Sequence, residues 1–238
     1  MLKKLLILVS LCLSVVNAQD STETAAPVSA DNDLAIVTTI LSKCGIPVSA
    51  QQVTQVENGR VVSLDLSNTD IAKDGIKSIP AEIGQLTALK KLSCSNNIIT
   101  QIPDEIGNLT QLQQLILQSN RIDVLTTAIG KCESLVDLDL RHNQLDVIPG
   151  EIAYCKNLTR LWLWGNKLSM LNSAVTQIGS LRELYLKDNR LTTLPPGIMK
   201  MNLTYFDVIG NKICEPDPQL KAWLVKRDKR HRETQRCW

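Results

Sequence analysis

Residues 112–122 read Leu-Gln-Gln-Leu-Ile-Leu-Gln-Ser-Asn-Arg-Ile, and this eleven-residue phrase returns every 23 residues along much of the chain. Its copies share the pattern Leu-x-x-Leu-x-Leu-x-x-Asn-x-Leu/Ile, with Cys94 in place of one leucine, and begin at Leu89, Leu112, Leu135, Leu158 and Leu181. A unit this short cannot bury its own apolar face, so consecutive copies must stack. The period predicts a solenoid, which presents broad surfaces and not deep clefts.

Within each unit, the alternation of leucines predicts a short strand with the leucines inward and the intervening residues outward. Seven units run through residues 61–213 and begin at Val61, Leu89, Leu112, Leu135, Leu158, Leu181 and Leu203. The asparagine at the ninth position is expected inside, where its amide bonds backbone groups of neighbouring units. Proline in phrases such as Ile102-Pro103-x-x-Ile106 predicts loops or short 3₁₀ turns in the return segment.

These phrases, with Ile102-Pro-Asp-Glu-Ile-Gly-Asn-Leu109, resemble the leucine-rich repeat family, specifically its 23-residue class and its exported bacterial members. The resemblance covers about residues 61–213. It implies an α/β fold, a right-handed leucine-rich repeat solenoid with a parallel β-sheet on the concave face and loops or 3₁₀ turns on the convex face. Helical caps are expected at both ends. The family also implies that the concave face engages partners.

The N-terminus predicts export. Residues 1–18 resemble a signal peptide, because Lys3 and Lys4 precede an apolar run and a small-residue cleavage site at 16–18. Residues 19–33 lack apolar periodicity and are expected to form a flexible leader. No later run is long enough to span a bilayer. We therefore expect a secreted, extracellular protein or one in the bacterial periplasm or on the cell surface.

Each end of the array is expected to carry a cap. Residues 34–60 predict an N-terminal cap made of a helix from Leu34 to Lys43, with Asp33 as N-cap, and a hairpin that turns at Asn58-Gly59. Residues 214–238 predict a C-terminal cap whose helix starts at Asp217-Pro218.

The cysteines are read as structural. By family resemblance, Cys214 and Cys237 are predicted to form a disulfide across the C-terminal cap. Cys132 and Cys155 lie one period apart in an inward column, close enough to bond. The other members of that column are ordinary core residues, so two buried thiols are favoured over a second disulfide.

Composition and motifs argue against catalysis and nucleic-acid binding. Cleavage after Ala18 leaves 24 basic and 24 acidic residues, so the net charge gives no support to a nucleic-acid partner. The sequence has no Gly-rich phosphate loop, nucleophile elbow or zinc-ligand spacing. Asp137 and Asp139 share a face with Arg160, which favours a charge mosaic over a calcium site. We predict no enzyme activity, cofactor or metal.

Outward positions near the C-terminal end of the array carry large aromatic residues beside charges. These are the residue types that contribute most to interface energies. The predicted ligand-binding residues are Trp162, Trp164, Tyr185, Tyr205, Arg160, Glu183, Arg141, Lys187 and Asp139. The aromatic side chains are expected to anchor a ligand, and the charged ones to orient it.

Three functions remain open for this cluster. The first is binding of another protein, and the second is adhesion to a glycan, since aromatic platforms beside Asp and Asn also suit sugar rings. The third is a structural envelope component without a discrete ligand. In that case the aromatics only stiffen the sheet, with Arg141 and Lys187 flanking Trp164 in cation–π contacts.

Overall fold

A computed structural model describes residues 30–67, 75–227 and 235. These residues form one eight-stranded sheet in which the strands lie in chain order. The first pair is antiparallel and every later pair is parallel. The strands are β1 (Thr54–Glu57), β2 (Arg60–Asp65), β3 (Lys91–Ser93), β4 (Gln114–Ile116), β5 (Asp137–Asp139), β6 (Arg160–Trp162), β7 (Glu183–Tyr185) and β8 (Tyr205–Asp207).

The parallel strands share one register. Equivalent positions of successive units face each other, so the outward side chains form straight rows across the sheet. One such row contains Ser63, Lys91, Gln114, Asp137, Arg160, Glu183 and Tyr205. The predicted solenoid with a parallel sheet on its concave face is confirmed.

The return segments are short 3₁₀ turns, as the proline phrases predict. They are Ala81–Gln85, Asp104–Asn108, Thr127–Lys131, Gly150–Tyr154, Ser173–Gln177 and Pro196–Lys200. Successive turns stack tightly, because a Cβ at Gly130 would lie only 2.6 Å from the carbonyl oxygen of Glu151 in the next turn. Glycine at that position permits the close approach of the two backbones.

The interior is a column of leucines and isoleucines crossed by a buried ladder of asparagines. Asn143 shows the pattern: its Nδ2 donates to the carbonyl oxygens of Leu117 (2.9 Å) and Leu140 (3.1 Å), and its Oδ1 accepts from the N–H of Ile122 (3.0 Å). Equivalent hydrogen bonds, to a carbonyl of the asparagine's own unit and to backbone groups of the preceding unit, recur at Asn97, Asn120, Asn166, Asn189 and Asn211. Each buried amide therefore ties two neighbouring units together.

Gln235 continues this ladder beyond the last repeat. Its Nε2 donates to the carbonyl oxygen of Val208 (3.2 Å), and its Oε1 accepts from the N–H of Ile213 (3.2 Å). Val208 and Ile213 occupy the unit positions that Leu117 and Ile122 occupy in the third unit. A glutamine from the C-terminal cap thus takes the place of the asparagine that an eighth repeat would supply.

The N-terminal cap differs from the sequence prediction. Its helix α1 spans Ala30–Cys44, so it begins four residues before Leu34 and includes the end of the predicted leader. Asp33 is not its N-cap: its buried carboxylate accepts hydrogen bonds from Nε of Arg60 and from the N–H of Val61, both at 2.9 Å. This contact with the start of β2 holds an extra helical turn against the sheet.

The remaining cap elements follow the sequence. A four-residue helix, α2 (Ala50–Val53), leads into β1, and the hairpin turns at Asn58 (φ 49°) and Gly59 (φ 74°). Both residues have the left-handed conformation that a type I′ turn requires. At the other end, α3 spans Pro218–Arg227, and Oδ1 of Asp217 accepts from the backbone N–H of Gln219 and Leu220.

Four described cysteines are free thiols: Cys44, Cys94, Cys132 and Cys155. The last two are buried and donate to carbonyl oxygens one unit earlier, at Ile106 and Ile129 (both 3.3 Å), so a second disulfide between them is absent. Burial raises the pKa of Cys132 to about 12 and that of Cys155 to about 11. Residues 1–18, predicted as a signal peptide, residues 19–29 of the predicted leader and Cys237 lie outside the described residues.

Candidate functional site

Three aromatic side chains from successive strands form one stack on the outward face of the sheet. The rings of Trp162 and Tyr185 lie 3.8 Å apart between centroids with a 9° angle between planes, and those of Tyr185 and Tyr205 lie 4.6 Å apart at 29°. The strands β6, β7 and β8 bring these side chains within stacking distance because adjacent strands lie about 4.8 Å apart. We call Trp162, Tyr185 and Tyr205 the aromatic stack.

Arg141 extends the aromatic stack on the β5 side. Its guanidinium carbon lies 4.8 Å from the centroid of Trp162. The expected contact with Trp164 was wrong, because Asp139, only 6% exposed, holds the guanidinium with bonds from Nε (2.9 Å) and Nη2 (2.7 Å) and directs it over Trp162. The same bonds raise the pKa of Arg141, so this side chain is a fixed cation.

Trp164 belongs to a second, separate cluster. Its ring is tilted by 53° against His142 at 5.0 Å, and Nζ of Lys187 lies 4.8 Å above its centroid, as predicted for the lysine. Its indole N–H donates to Oδ2 of Asp188 at 3.1 Å. His142 and Asp188 were not predicted as site residues, since both lie at the left-handed eighth position of their units and not on a strand.

Acidic side chains fix the polar groups of the aromatic stack and of the neighbouring Arg160. Asp137 accepts from Nε1 of Trp162 (2.8 Å) and from Nη2 of Arg160 (2.9 Å). Glu183 accepts the hydroxyl of Tyr185 at 2.8 Å. Desolvation, followed by this hydrogen bond, raises the pKa of Tyr185, so the phenol stays neutral. The bond to Asp137 raises the pKa of Arg160.

All the predicted ligand-binding residues therefore lie on one half of the sheet face, between β5 and β8. The sequence prediction omitted Asp137, which orients both an indole and a guanidinium. The other half of the face is small and polar. There, the hydroxyls of Ser67 and Ser93 bond each other at 2.6 Å, and Ser93 and Ser95 are buried.

A groove between β8 and the C-terminal helix borders the exposed end of the aromatic stack. Its cavity of about 630 Å³ is lined by Met199, Thr204, Tyr205, Phe206, Trp223, Lys226 and Arg227. Phe206 meets the edge of Trp223 at 5.1 Å, and Arg227 lies over the same indole at 4.8 Å. Trp223 is half-buried, packs against the core and forms a wall of this groove.

Three further features of the described residues concern metal ligands, cavities and apolar helices. Residues 30–67, 75–227 and 235 contain no group of three or more His, Cys, Asp or Glu side chains that could hold a metal ion. A cavity of about 910 Å³ lies among the 3₁₀ turns, remote from the aromatic stack, and is lined by residues such as Lys131, Glu151 and Tyr154. None of the helices within the described parts of the chain is long and apolar enough to cross a bilayer.

Comparison with protein families agrees with this geometry. A family model described as leucine-rich repeat matches residues 110–168, and a second of the same description matches residues 88–109 and 180–201. The chain is a leucine-rich repeat protein. Leucine-rich repeat folds commonly mediate recognition between proteins.

Solved structures show the same solenoid. A leucine-rich repeat protein of Leptospira interrogans is 34% identical, with a TM-score of 0.62 over 68% of this chain and 40% of its own. An internalin of Listeria monocytogenes is 24% identical, with a TM-score of 0.56 over 70% of this chain and 46% of its own. A plant ice-binding protein is also 24% identical, with a TM-score of 0.66 over 77% and 64% respectively.

These similarities concern part of each protein. The chain spans less than half the length of the Leptospira and Listeria proteins, and the two relatives at 24% identity share the fold alone. A comparison with curated proteins finds no match.

Proposed function

We propose that this leucine-rich repeat protein binds another protein through the half of its sheet face between β5 and β8. The aromatic stack carries the proposal. Trp162, Trp164, Tyr185 and Tyr205 anchor the partner, while Arg160, Glu183, Arg141, Lys187 and Asp139 orient it. Rows of aromatic and arginine side chains in one patch are typical of the residues that dominate interface energies.

The orientation of the rings favours a protein over a glycan. Sugar rings bind aromatic side chains through the ring face, but both faces of Trp162 are covered, one by Tyr185 and the other by Arg141. Tyr185 lies likewise between two rings. Apart from the outer face of Tyr205, the aromatic stack therefore offers ring edges to solvent. Ring edges are electropositive and suit carbonyl oxygens, carboxylates and the faces of other aromatic rings, all of which proteins supply.

The hydrogen bonds within the cluster support recognition because they fix its side chains before any partner arrives. Trp162 and Arg160 share Asp137, Tyr185 is held by Glu183, and Arg141 is held by Asp139. Ordering such side chains on binding costs about 0.5–1.5 kcal/mol each when they are free. Side chains that are already ordered lose less conformational entropy on binding, so the affinity is higher.

We also propose that the protein is exported and that Cys214 and Cys237 form a disulfide. The signal-like residues 1–18 support export, and Cys214 is not a free thiol. An oxidising compartment would allow the bond.

Titration of thiols tests the disulfide. The chain cleaved after residue 18 has six cysteines, so we expect four reactive thiols in denaturant before reduction and six after it. In the folded chain at pH 8 we expect slow reaction, because burial raises the pKa of Cys44 and Cys155 to about 11 and that of Cys132 to about 12. Six thiols before reduction would contradict the disulfide.

A paired capture experiment tests the proposed function. The immobilised protein is exposed both to a soluble protein extract and to a glycan array, and the Trp162→Ala/Trp164→Ala variant is run beside it. We expect a protein that is enriched by the wild type and lost by the variant, with no glycan above background. Glycan binding that the variant abolishes would establish the adhesion alternative. Self-association without enrichment of any protein would establish the structural one.

A further inference from the structure

The aromatic stack ends at Tyr205, whose outer face is stacked on no further ring or cation among the described residues. Tyr205 is 46% exposed, and within residues 30–67, 75–227 and 235 its only aromatic neighbour is Tyr185. Each earlier rung is covered by a side chain from the next strand, but β8 is the last strand of the sheet. The position at which the next ring would lie opens into the groove between β8 and α3, because Tyr205 lines that groove.

The groove has a mixed apolar and basic lining. Phe206 and Trp223 provide apolar and aromatic surface, and Lys226 and Arg227 provide positive charge. A smaller cavity of about 170 Å³ on the same side adds Asp207, whose Oδ1 accepts from the N–H of Ile209. Two cations therefore outnumber one carboxylate around the exposed face of Tyr205.

The charge of the surrounding sequence has the same sign. Residues 180–227 carry 8 basic and 5 acidic residues, a net charge of +3, whereas residues 30–67 and 75–179 carry 11 basic and 13 acidic residues, a net charge of −2. The end of the solenoid that contains the groove thus attracts acidic segments, and like-charged segments are repelled.

We propose that the groove accepts a polypeptide segment of the partner in which an aromatic side chain lies beside acidic residues. The aromatic ring stacks on the free face of Tyr205 as the next rung of the aromatic stack. The flanking carboxylates pair with Lys226 and Arg227. This inference rests on the proposed function, since it specifies how the same partner continues past the last strand.

Fluorescence anisotropy with defined peptides tests the inference. The probe is fluorescein-labelled Gly-Glu-Glu-Trp-Glu-Glu-Gly, and the comparison peptides replace Trp by Leu or every Glu by Lys. We expect the Trp peptide to bind about fivefold more tightly than the Leu peptide, in line with the gain from an aromatic pair. The Lys peptide is expected not to bind. Equal binding of the Trp and Leu peptides, or no binding of either, would overturn the inference.

Substitutions locate the peptide. Tyr205→Ala should weaken the Trp peptide about fivefold, while Tyr205→Phe, which keeps the ring, should change it less than about twofold. Lys226→Glu should also weaken binding of the Trp peptide, and this loss should grow as the salt concentration is lowered, because the repulsion between like charges is then screened less. The matched control is Tyr154→Ala, a tyrosine 62% exposed among the 3₁₀ turns, which should have no effect. Loss with Tyr154→Ala equal to the loss with Tyr205→Ala would overturn the inference.

The outcomes separate this inference from the proposed function. The peptide assay is judged at Tyr205, and the capture assay is judged with the Trp162→Ala/Trp164→Ala variant, whose substitutions lie on β6 or just after it, two strands from β8. If that variant loses the captured protein while no peptide binds the wild type, the sheet-face function stands and the groove inference falls. If the peptide binds at Tyr205 but the captured protein binds the Trp162→Ala/Trp164→Ala variant as tightly as the wild type, the sheet-face function falls.

Discussion

The Trp162→Ala/Trp164→Ala double variant should weaken the captured protein's binding by at least about 30-fold, equivalent to about 2 kcal/mol. Removal of Trp162 takes away the ring between Arg141 and Tyr185, and it leaves Asp137 without its indole donor. Removal of Trp164 takes away the surface under Lys187. Titration of the purified partner by calorimetry or surface plasmon resonance measures the loss.

The control for this experiment lies on the same face. Lys91→Ala/Gln114→Ala removes two outward side chains from β3 and β4, in the same row as Arg160 but on the small, polar half of the sheet. We expect this variant to bind within about twofold of the wild type, because truncating most residues outside a hot spot costs little. Thermal melts of both variants separate lost contacts from lost folding. Equal losses in the two variants would contradict a site confined to β5–β8.

Replacement of Asn143 by leucine should destabilise the fold by about 3 kcal/mol or more. Leucine fills a similar volume but cannot bond the carbonyl oxygens of Leu117 and Leu140 or the N–H of Ile122, and each buried group left without a partner costs about 1–3 kcal/mol. Urea unfolding followed by circular dichroism measures the change. The asparagine ladder, in spite of its polarity, is then as important to the solenoid as the leucines.

Asn202→Leu provides the comparison, since Asn202 is exposed beyond the last 3₁₀ turn. A surface substitution of this kind is expected to change the free energy of unfolding by less than about 0.5 kcal/mol. If Asn143→Leu unfolded at the same urea concentration as Asn202→Leu, the ladder would not hold neighbouring units together.

The repeats could be predicted from sequence because every unit has to bury the same apolar positions against its neighbours. The 23-residue period fixes which side chains point inward, and the asparagine column and the 3₁₀ returns follow from burial and from proline. Positions in the site were predictable to the same extent. The register that aligns Asp139 with Trp162 and Trp162 with Tyr185 is the register of the repeat itself.

Contacts that depend on individual side-chain directions were not predictable in this way. The sequence places two indoles beside Arg141. The two hydrogen bonds from its guanidinium to buried Asp139 direct it over Trp162 and away from Trp164. Asp33 looks like an N-cap because the chain before it lacks periodicity, but its bonds to Arg60 and Val61 are long-range. Gln235 lies outside any repeat, so its place in the asparagine ladder has no local sequence signature.

Hydroxyl-radical footprinting of the protein, alone and in complex with its captured partner, tests the central claim most directly. Aromatic side chains are oxidised in proportion to their exposure, and a bound partner protects those it covers. We predict protection of Trp162, Tyr185 and Tyr205, with unchanged oxidation of Tyr154 among the 3₁₀ turns. Protection of Tyr154 with the aromatic stack as reactive as in the free protein would contradict the claim that this protein recognises its partner through the sheet face.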